Sequence, residues 1–143
     1  MTIATILGNK GGHVVTVGPG EDLGAVCQSL AQHRIGAALV RDADGAILGI
    51  VSERDIVRHL AHDGAAALAK TARQVMTSDL HTVRAETSIV DALGMMTDRR
   101  IRHLPVMEEG RLVGMVSIGD LVKERIAEAV TEAETLRAFV TAA

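Results

Sequence analysis

Gly49-Ile50-Val51-Ser52-Glu53-Arg54-Asp55 and Gly114-Met115-Val116-Ser117-Ile118-Gly119-Asp120 are one phrase written twice. Working outward from them, Val15 to Val57 overlays His81 to Val122. The offset is 66 positions, falling to 65 after a one-residue deletion in the second copy's turn. Thr16-Val17 then falls on Thr82-Val83, and Arg34-Ile35 on Arg100-Ile101. A self-similar period decides architecture ahead of local propensity, and two copies make a pseudo-symmetric pair where a solenoid needs more. Each copy closes an apolar strand with Ser-x-x-Asp, so chemistry is repeated along with fold.

The pattern inside each copy predicts strand, helix, strand, strand, helix. In the first, Val14 to Val17 reads as a strand and Gly18-Pro19-Gly20 as a turn. Leu23, Val26, Cys27 and Leu30 then mark one buried face of a helix over about 21–32. The overlay sends them to Ile89, Ala92, Leu93 and Met96, all apolar, which makes Cys27 a core substitute rather than a reactive thiol. Strands over 37–41 and 46–51 flank Asp42-Ala43-Asp44-Gly45, and strands over 103–107 and 111–116 flank Glu108-Glu109-Gly110. Helices begin at Ser52 and Ser117. Residues 61–73 read as a weakly helical connector, and Gly8-Asn9-Lys10-Gly11-Gly12 as a flexible one. Leu121, Val122, Ile126, Val130, Leu136 and Val140 predict one long or two successive amphipathic helices to the end. The expected domains are 1–70, holding the N-terminal segment, first repeat and connector, and 71–143, holding the second repeat and C-terminal helix.

Composition sets limits on function. The 143 residues are 48% hydrophobic, with one Phe and no Trp or Tyr, so the core is aliphatic. A net charge of −3 gives no general attraction to nucleic acid or to an acidic membrane. No apolar run approaches the roughly 18 residues of a membrane span, and Met1 to Leu7 lacks the basic start of a signal peptide. A single cysteine excludes an intrachain disulfide and suits a reducing cytoplasm. His13, His33, His59, His62 and His81 form no ligand pattern for a metal, and nothing reads as a nucleophile with its base or as a P-loop. The expectation is a binding protein, not an enzyme.

The phrases at 49–57, Ile101-Arg102-His103-Leu104-Pro105-Val106 and 114–122 resemble tandem cystathionine-β-synthase (CBS) domains paired as a Bateman module. With Val14 to Val17 and Val75-Met76-Thr77, the likeness covers nearly the whole chain. It implies a mixed α/β (α+β) fold: a pseudo-twofold pair of β-α-β-β-α repeats, each with a three-stranded sheet packed on helices, and a C-terminal amphipathic helix. It also implies a stand-alone regulatory module whose cleft binds an adenine nucleotide (AMP, ADP or ATP) or, in some members, S-adenosylmethionine or NAD. No cofactor is required. Partners would be a second copy of the chain, in a homodimer, and an unidentified regulated protein.

Ser52-x-x-Asp55 has two compatible readings. A helix N-terminus carries unpaired amides and partial positive charge, which suit a phosphate. Ser52 adds a hydroxyl, and the two oxygens of Asp55 could accept from a ribose, the role the resemblance assigns to it. Alternatively Ser52 and Asp55 simply cap the helix. Ser117 and Asp120 stand in the same relation. Thr16, Val17, Ile35 and Ala37, with Thr82 and Val83, are candidates to line the base, through backbone groups or aliphatic walls. Arg99 and Arg100 suit a helix C-terminus. By the resemblance, Arg102 and His103 reach the Asp of the other repeat and hold phosphate, with Arg54 adding charge. Only the second copy has that basic pair, since Gly36 and Ala37 stand in its place in the first. The two clefts are therefore expected to be unequal. The competing reading is an interaction module whose cleft stays empty.

Overall fold

The computed structural model describes residues 1–142. In chain order the elements are α1 (Ile3–Lys10), β1 (Thr16–Val17), α2 (Leu23–His33), β2 (Ala37–Arg41), β3 (Ile47–Ser52) and α3 (Glu53–Asp63). A 3-10 segment (Gly64–Ala69), α4 (Ala72–Val75), α5 (Ile89–Arg99), β4 (His103–Glu108), β5 (Arg111–Ser117) and α6 (Ile118–Ala142) follow. The mixed α+β class agrees with the sequence expectation, and so does the order within the repeats apart from the first strand of the second; α1 was not expected.

Two compact units result, one of residues 14–80 and one of residues 1–13 with 81 onward. In the first, β1 runs parallel to β2, and β2 antiparallel to β3, with Ala37 opposite Ser52. Asp22 caps α2 by accepting from the Ala25 amide at 2.8 Å. Leu23, Val26 and Leu30 then pack on Ala38, Val40 and Val51 of the sheet, and all six are buried. In the second unit Ser88 caps α5, and Ile89, Ala92 and Met96 pack on Leu104, Val106 and Val116. Helices α2 and α5 both end on an arginine in the left-handed region, Arg34 at φ 54° and Arg100 at φ 53°. Each hairpin carries a register shift at the matching place, Val40/Arg41 and Val106/Met107. Cys27 lies at the edge of the first core, where burial pushes its thiol up and a backbone hydrogen bond partly offsets this.

The second sheet has two strands rather than the expected three. Residues 81–83 contribute a single bridge, Val83 to Val106. Its amide donates to the Pro105 carbonyl at 3.0 Å, and Met107 donates back to Val83 at 2.9 Å. In the first unit the pairing extends further because the Leu39 amide donates to Val15 at 3.4 Å. The residue matching Leu39 is Pro105, which has no N–H to give. That missing donor shortens the strand.

The expected domain boundaries also need correction, because the segment before each repeat joins the other repeat's unit. Ile3 and Ile6 of α1 are buried in the second core. Ile3 and Ala4 donate to the carbonyls of Thr87 and Ala85 at 2.9 and 2.8 Å. In the first unit the same place is taken by α4, whose Ala72 and Arg73 donate to Glu21 and Pro19 at 2.7 and 3.1 Å. Residues 8–10, read as a flexible connector, are the last turn of α1. The 25 residues of α6 form one helix, with only Leu121 buried.

These exchanged segments rest on paired glycines. A Cβ at Gly49 would lie 2.7 Å from the Thr77 carbonyl oxygen and 2.8 Å from the Met76 sulfur. At Gly114 it would meet a Leu7 methyl at 2.6 Å. A leucine tip can rotate, whereas Thr77 is fixed by reciprocal backbone bonds with Ile50 at 2.8 and 3.0 Å. Gly49→Ala should therefore lower stability by about 1–3 kcal/mol, and Gly114→Ala by clearly less. Urea unfolding of both variants checks this, and equal losses would contradict the difference in the two contacts.

Candidate ligand-binding site

The site begins where β3 turns into α3. Ser52 is the N-cap, with extended backbone, and its hydroxyl accepts from the Asp55 amide at 3.3 Å. The Asp55 Oδ2 accepts in return from the Ser52 amide at 2.9 Å and its hydroxyl at 3.0 Å. The next amide, of Glu53, donates to the Gly36 carbonyl at 2.9 Å, fixing the helix start to the head of β2. The capping reading is thus realised in full. It also narrows the expected phosphate seat, since the amides of Ser52, Glu53 and Asp55 are all committed within the unit.

Asp55 keeps one acceptor direction for a ligand. A carboxylate offers about four lone-pair sites; Oδ2 uses two on Ser52, and among the described residues Oδ1 accepts from the Thr77 hydroxyl alone, at 3.3 Å. Oδ1 can therefore take a further hydroxyl, beside Thr77 or in its place. The expected use of both oxygens for a ribose is reduced to this one.

The second unit repeats the turn with one change. The Asp120 Oδ2 accepts from the Ser117 amide at 2.9 Å, Ser117 accepts from the Asp120 amide at 3.2 Å, and Ile118 donates to the Arg102 carbonyl at 2.8 Å. Here the segment crossing the carboxylate brings an ammonium. Lys10 Nζ lies 2.8 Å from Asp120 Oδ2 and 3.0 Å from the Met115 carbonyl. Burial pushes the Asp120 carboxyl up, but hydrogen bonds from Lys10 and Ser117 and the Lys10 charge outweigh it, leaving it below its ordinary value.

Of the other expected residues, Val17 and Val83 are core and Ala37 is fully buried, so any ligand would meet their backbones. Thr16 and Ile35 are half-buried, while Thr82, Arg54 and Arg102 are exposed. His103 is half-buried and pairs across the hairpin with Ser117. The structure thus gathers Ser52, Asp55 and Thr77 in one unit, and Ser117, Asp120, His103 and Lys10 in the other. Sequence reasoning missed Thr77 and Lys10. Thr77 had a signal, because it closes the Val-Met-Thr phrase leading out of α4. Lys10 had none, since nothing in the order of residues joins α1 to the second repeat.

With this geometry in place, comparison with known proteins is direct. The CBS domain pattern matches residues 11–62 and again 72–127. The chain belongs to the CBS domain family and carries the domain twice. It is 37% identical over 117 residues to the mitochondrial CBS domain-containing protein CBSX3 of Arabidopsis thaliana, covering 79% of this chain and 57% of that one. The chain thus spans little more than half of that relative's length. The crystal structure of the CBS-domain containing protein ATU1752 from Agrobacterium tumefaciens matches with a TM-score of 0.86 and 43% identity, over 87% of this chain and 92% of that one. The CBS domain pair of protein MJ0100, crystallised with 5′-methylthioadenosine and S-adenosyl-L-methionine, shares the fold. Its TM-score is 0.78 at 22% identity, over 90% of this chain and 98% of that one. Among the described residues no helix is long and apolar enough to cross a membrane, and no three His, Cys, Asp or Glu converge as a metal site.

The Lys10–Asp120 pair has a pH signature. Because the folded carboxyl titrates below its ordinary value, its contribution to stability is present above the unfolded pKa of about 4. It is lost as pH falls through the lower folded value. Lys10→Met should raise the Asp120 pKa and weaken this acid dependence. Carboxyl NMR titration reads it directly, and an unchanged Asp120 titration would rule Lys10 out as the group holding it down.

Proposed function

We propose that this chain is a regulatory module that binds an adenine nucleotide at the Ser52–Asp55 turn and signals occupancy to a partner protein. It works by binding rather than catalysis, in a reducing cytoplasmic setting. The observation that carries the reading is the state of Asp55. Its carboxylate is positioned by the cap yet keeps an acceptor on Oδ1, where the present donor is a neutral, exchangeable hydroxyl. A ribose hydroxyl is a like-for-like replacement. Arg54, next to Asp55 in the first turn of α3, supplies a charge-assisted bond to phosphate. The complex of the MJ0100 CBS pair supports the class of ligand, since both of its ligands are adenosine derivatives. The same complex supports a second reading, S-adenosylmethionine. That ligand's sulfonium suits a cationic site less well than a phosphate does, which favours the nucleotide here.

Asp55→Ala tests the site. Loss of a hydrogen bond to a charged group costs about 1.5–3 kcal/mol, so AMP affinity should fall at least about tenfold by calorimetry. Stability should also drop by roughly 1 kcal/mol through the lost cap. A thermal shift without loss of affinity would reduce Asp55 to a cap.

The proposed assembly is a homodimer formed through apolar helix faces. A groove of about 590 Å³ lies between α2 and α3, lined by Cys27, Leu30, Ile35, Ile56 and Val57 among others. Val57 is 63% exposed, and Ile126 of α6 59%. The monomeric alternative has the end of α6 fold back over these faces. Against it, Leu136 and Phe139 are 65% and 78% exposed on a continuous helix. Light scattering should give twice the chain mass, and Val57→Asp should shift it towards one. A single chain mass across micromolar concentrations would remove the dimer from the proposal.

A further inference from the structure

The two Ser-x-x-Asp turns differ in what crosses them. In the first unit the crossing segment is extended, and Thr77 meets the turn twice. Its amide donates to the Ile50 carbonyl at 2.8 Å and its hydroxyl to Asp55 Oδ1. In the second unit the crossing segment stays helical as far as Lys10. The lysine side chain then meets the turn at both groups, donating to the carbonyl of Met115, the residue matching Ile50, and to Oδ2 of Asp120, the cap oxygen, where Thr77 meets Oδ1 of Asp55. Helix extension explains the substitution. A backbone still in a helix cannot pair with a strand edge, so a long side chain has to reach it. The consequence is electrostatic, because a neutral donor at one carboxylate is replaced by a full positive charge at the other.

We propose that Lys10 is a built-in occupant of the second repeat's nucleoside site, holding Asp120 against a ligand's hydroxyls and leaving the module one open site per chain. This rests on the reading that the Ser-x-x-Asp turn is where the nucleoside binds. The ammonium sits on the cap oxygen Oδ2 and acts by offsetting the carboxylate's charge. A hydroxyl arriving at Oδ1 meets a carboxylate already neutralised, and charge-assisted bonds are about twice as strong as neutral ones. The side chains of Lys10 and Asp120 retain 40% and 27% exposure. The pair is therefore reversible: Lys10 can swing into water, and a ligand at high concentration can take its place. The second site is closed by this charge pair, and α1 sets the strength of the closure.

Adenosine and AMP are the probes, and calorimetric stoichiometry is the readout. Wild type should bind one equivalent tightly. Lys10→Met keeps the aliphatic stem over the hairpin while removing the charge, and should expose a second equivalent. Its affinity should be about three- to tenfold above any second-site binding in wild type. The gain should be at least as large for adenosine as for AMP, and Lys10→Arg should keep the site closed. The decisive protein is Asp55→Ala with Lys10→Met, which should bind through Asp120 alone, whereas Asp55→Ala by itself binds little. If Asp55→Ala abolishes binding and the double variant does not restore it, with its thermal melt intact, the occupancy of Asp120 by Lys10 has no bearing on ligands. Weaker AMP binding by Lys10→Met would make Lys10 a phosphate contact instead, and also overturns the proposal. Unchanged AMP binding by Asp55→Ala would overturn the nucleotide reading of the turn itself.

Discussion

Everything near the site hangs on how the helix after each hairpin begins. The first helical amide is held by a carbonyl at the head of the neighbouring strand, Glu53 to Gly36 and Ile118 to Arg102. The capping serine and aspartate satisfy the amides on either side. A helix start otherwise leaves four amides without partners inside the helix. Committing three of them at each turn fixes the direction of α3 and α6 relative to their sheets. The same bonds aim the carboxylates of Asp55 and Asp120 along the strand edge, where the crossing segment or a ligand can meet them. At Asp55 the cap takes Oδ2 and leaves Oδ1 to the Thr77 hydroxyl.

The second governing feature is the exchange of leading segments. The helix ahead of each repeat completes the other repeat's unit, burying Ile3 and Ile6 in one core and Ala72 and Val75 in the other. The first repeat closes its core with the sequence that follows it, in one stretch from 14 to 80, whereas the second needs the distant segment 1–13. The pairing makes the segments equivalent in role and leaves them free to differ in conformation, and they do differ. One is a single turn followed by extended chain, and the other is a helix of two turns. From that difference follows the contrast between Thr77 at Asp55 and Lys10 at Asp120, an electrostatic asymmetry imposed by backbone geometry on two nearly identical turns.

Much of this was legible in the residues. The repeated phrase set the two-unit plan, the Leu23 to Leu30 spacing gave α2 and its buried face, and the hairpin ends fell within a residue or two of those read from the pattern. Ser52, Asp55, Ser117 and Asp120 were recognisable because capping chemistry is local, written within four residues. Local pattern was misleading where one residue's hydrogen-bonding capacity mattered at a distance. The 81–83 strand looked as good as 14–17, yet Pro105, in another strand, had no donor to extend it.

The sequence by itself determined the repeat, the elements, their caps and the two carboxylate turns, because these depend on periodicity and on contacts between near neighbours. Only the tertiary structure decided which segment completes which core, since both leading segments are apolar enough to fill either. It alone showed that Asp55 meets a hydroxyl across 22 residues of chain and Asp120 an ammonium across 110. Loop closure over such spans leaves no trace in the order of residues, because its cost grows only slowly with length. The partner is selected by where packed elements bring their ends.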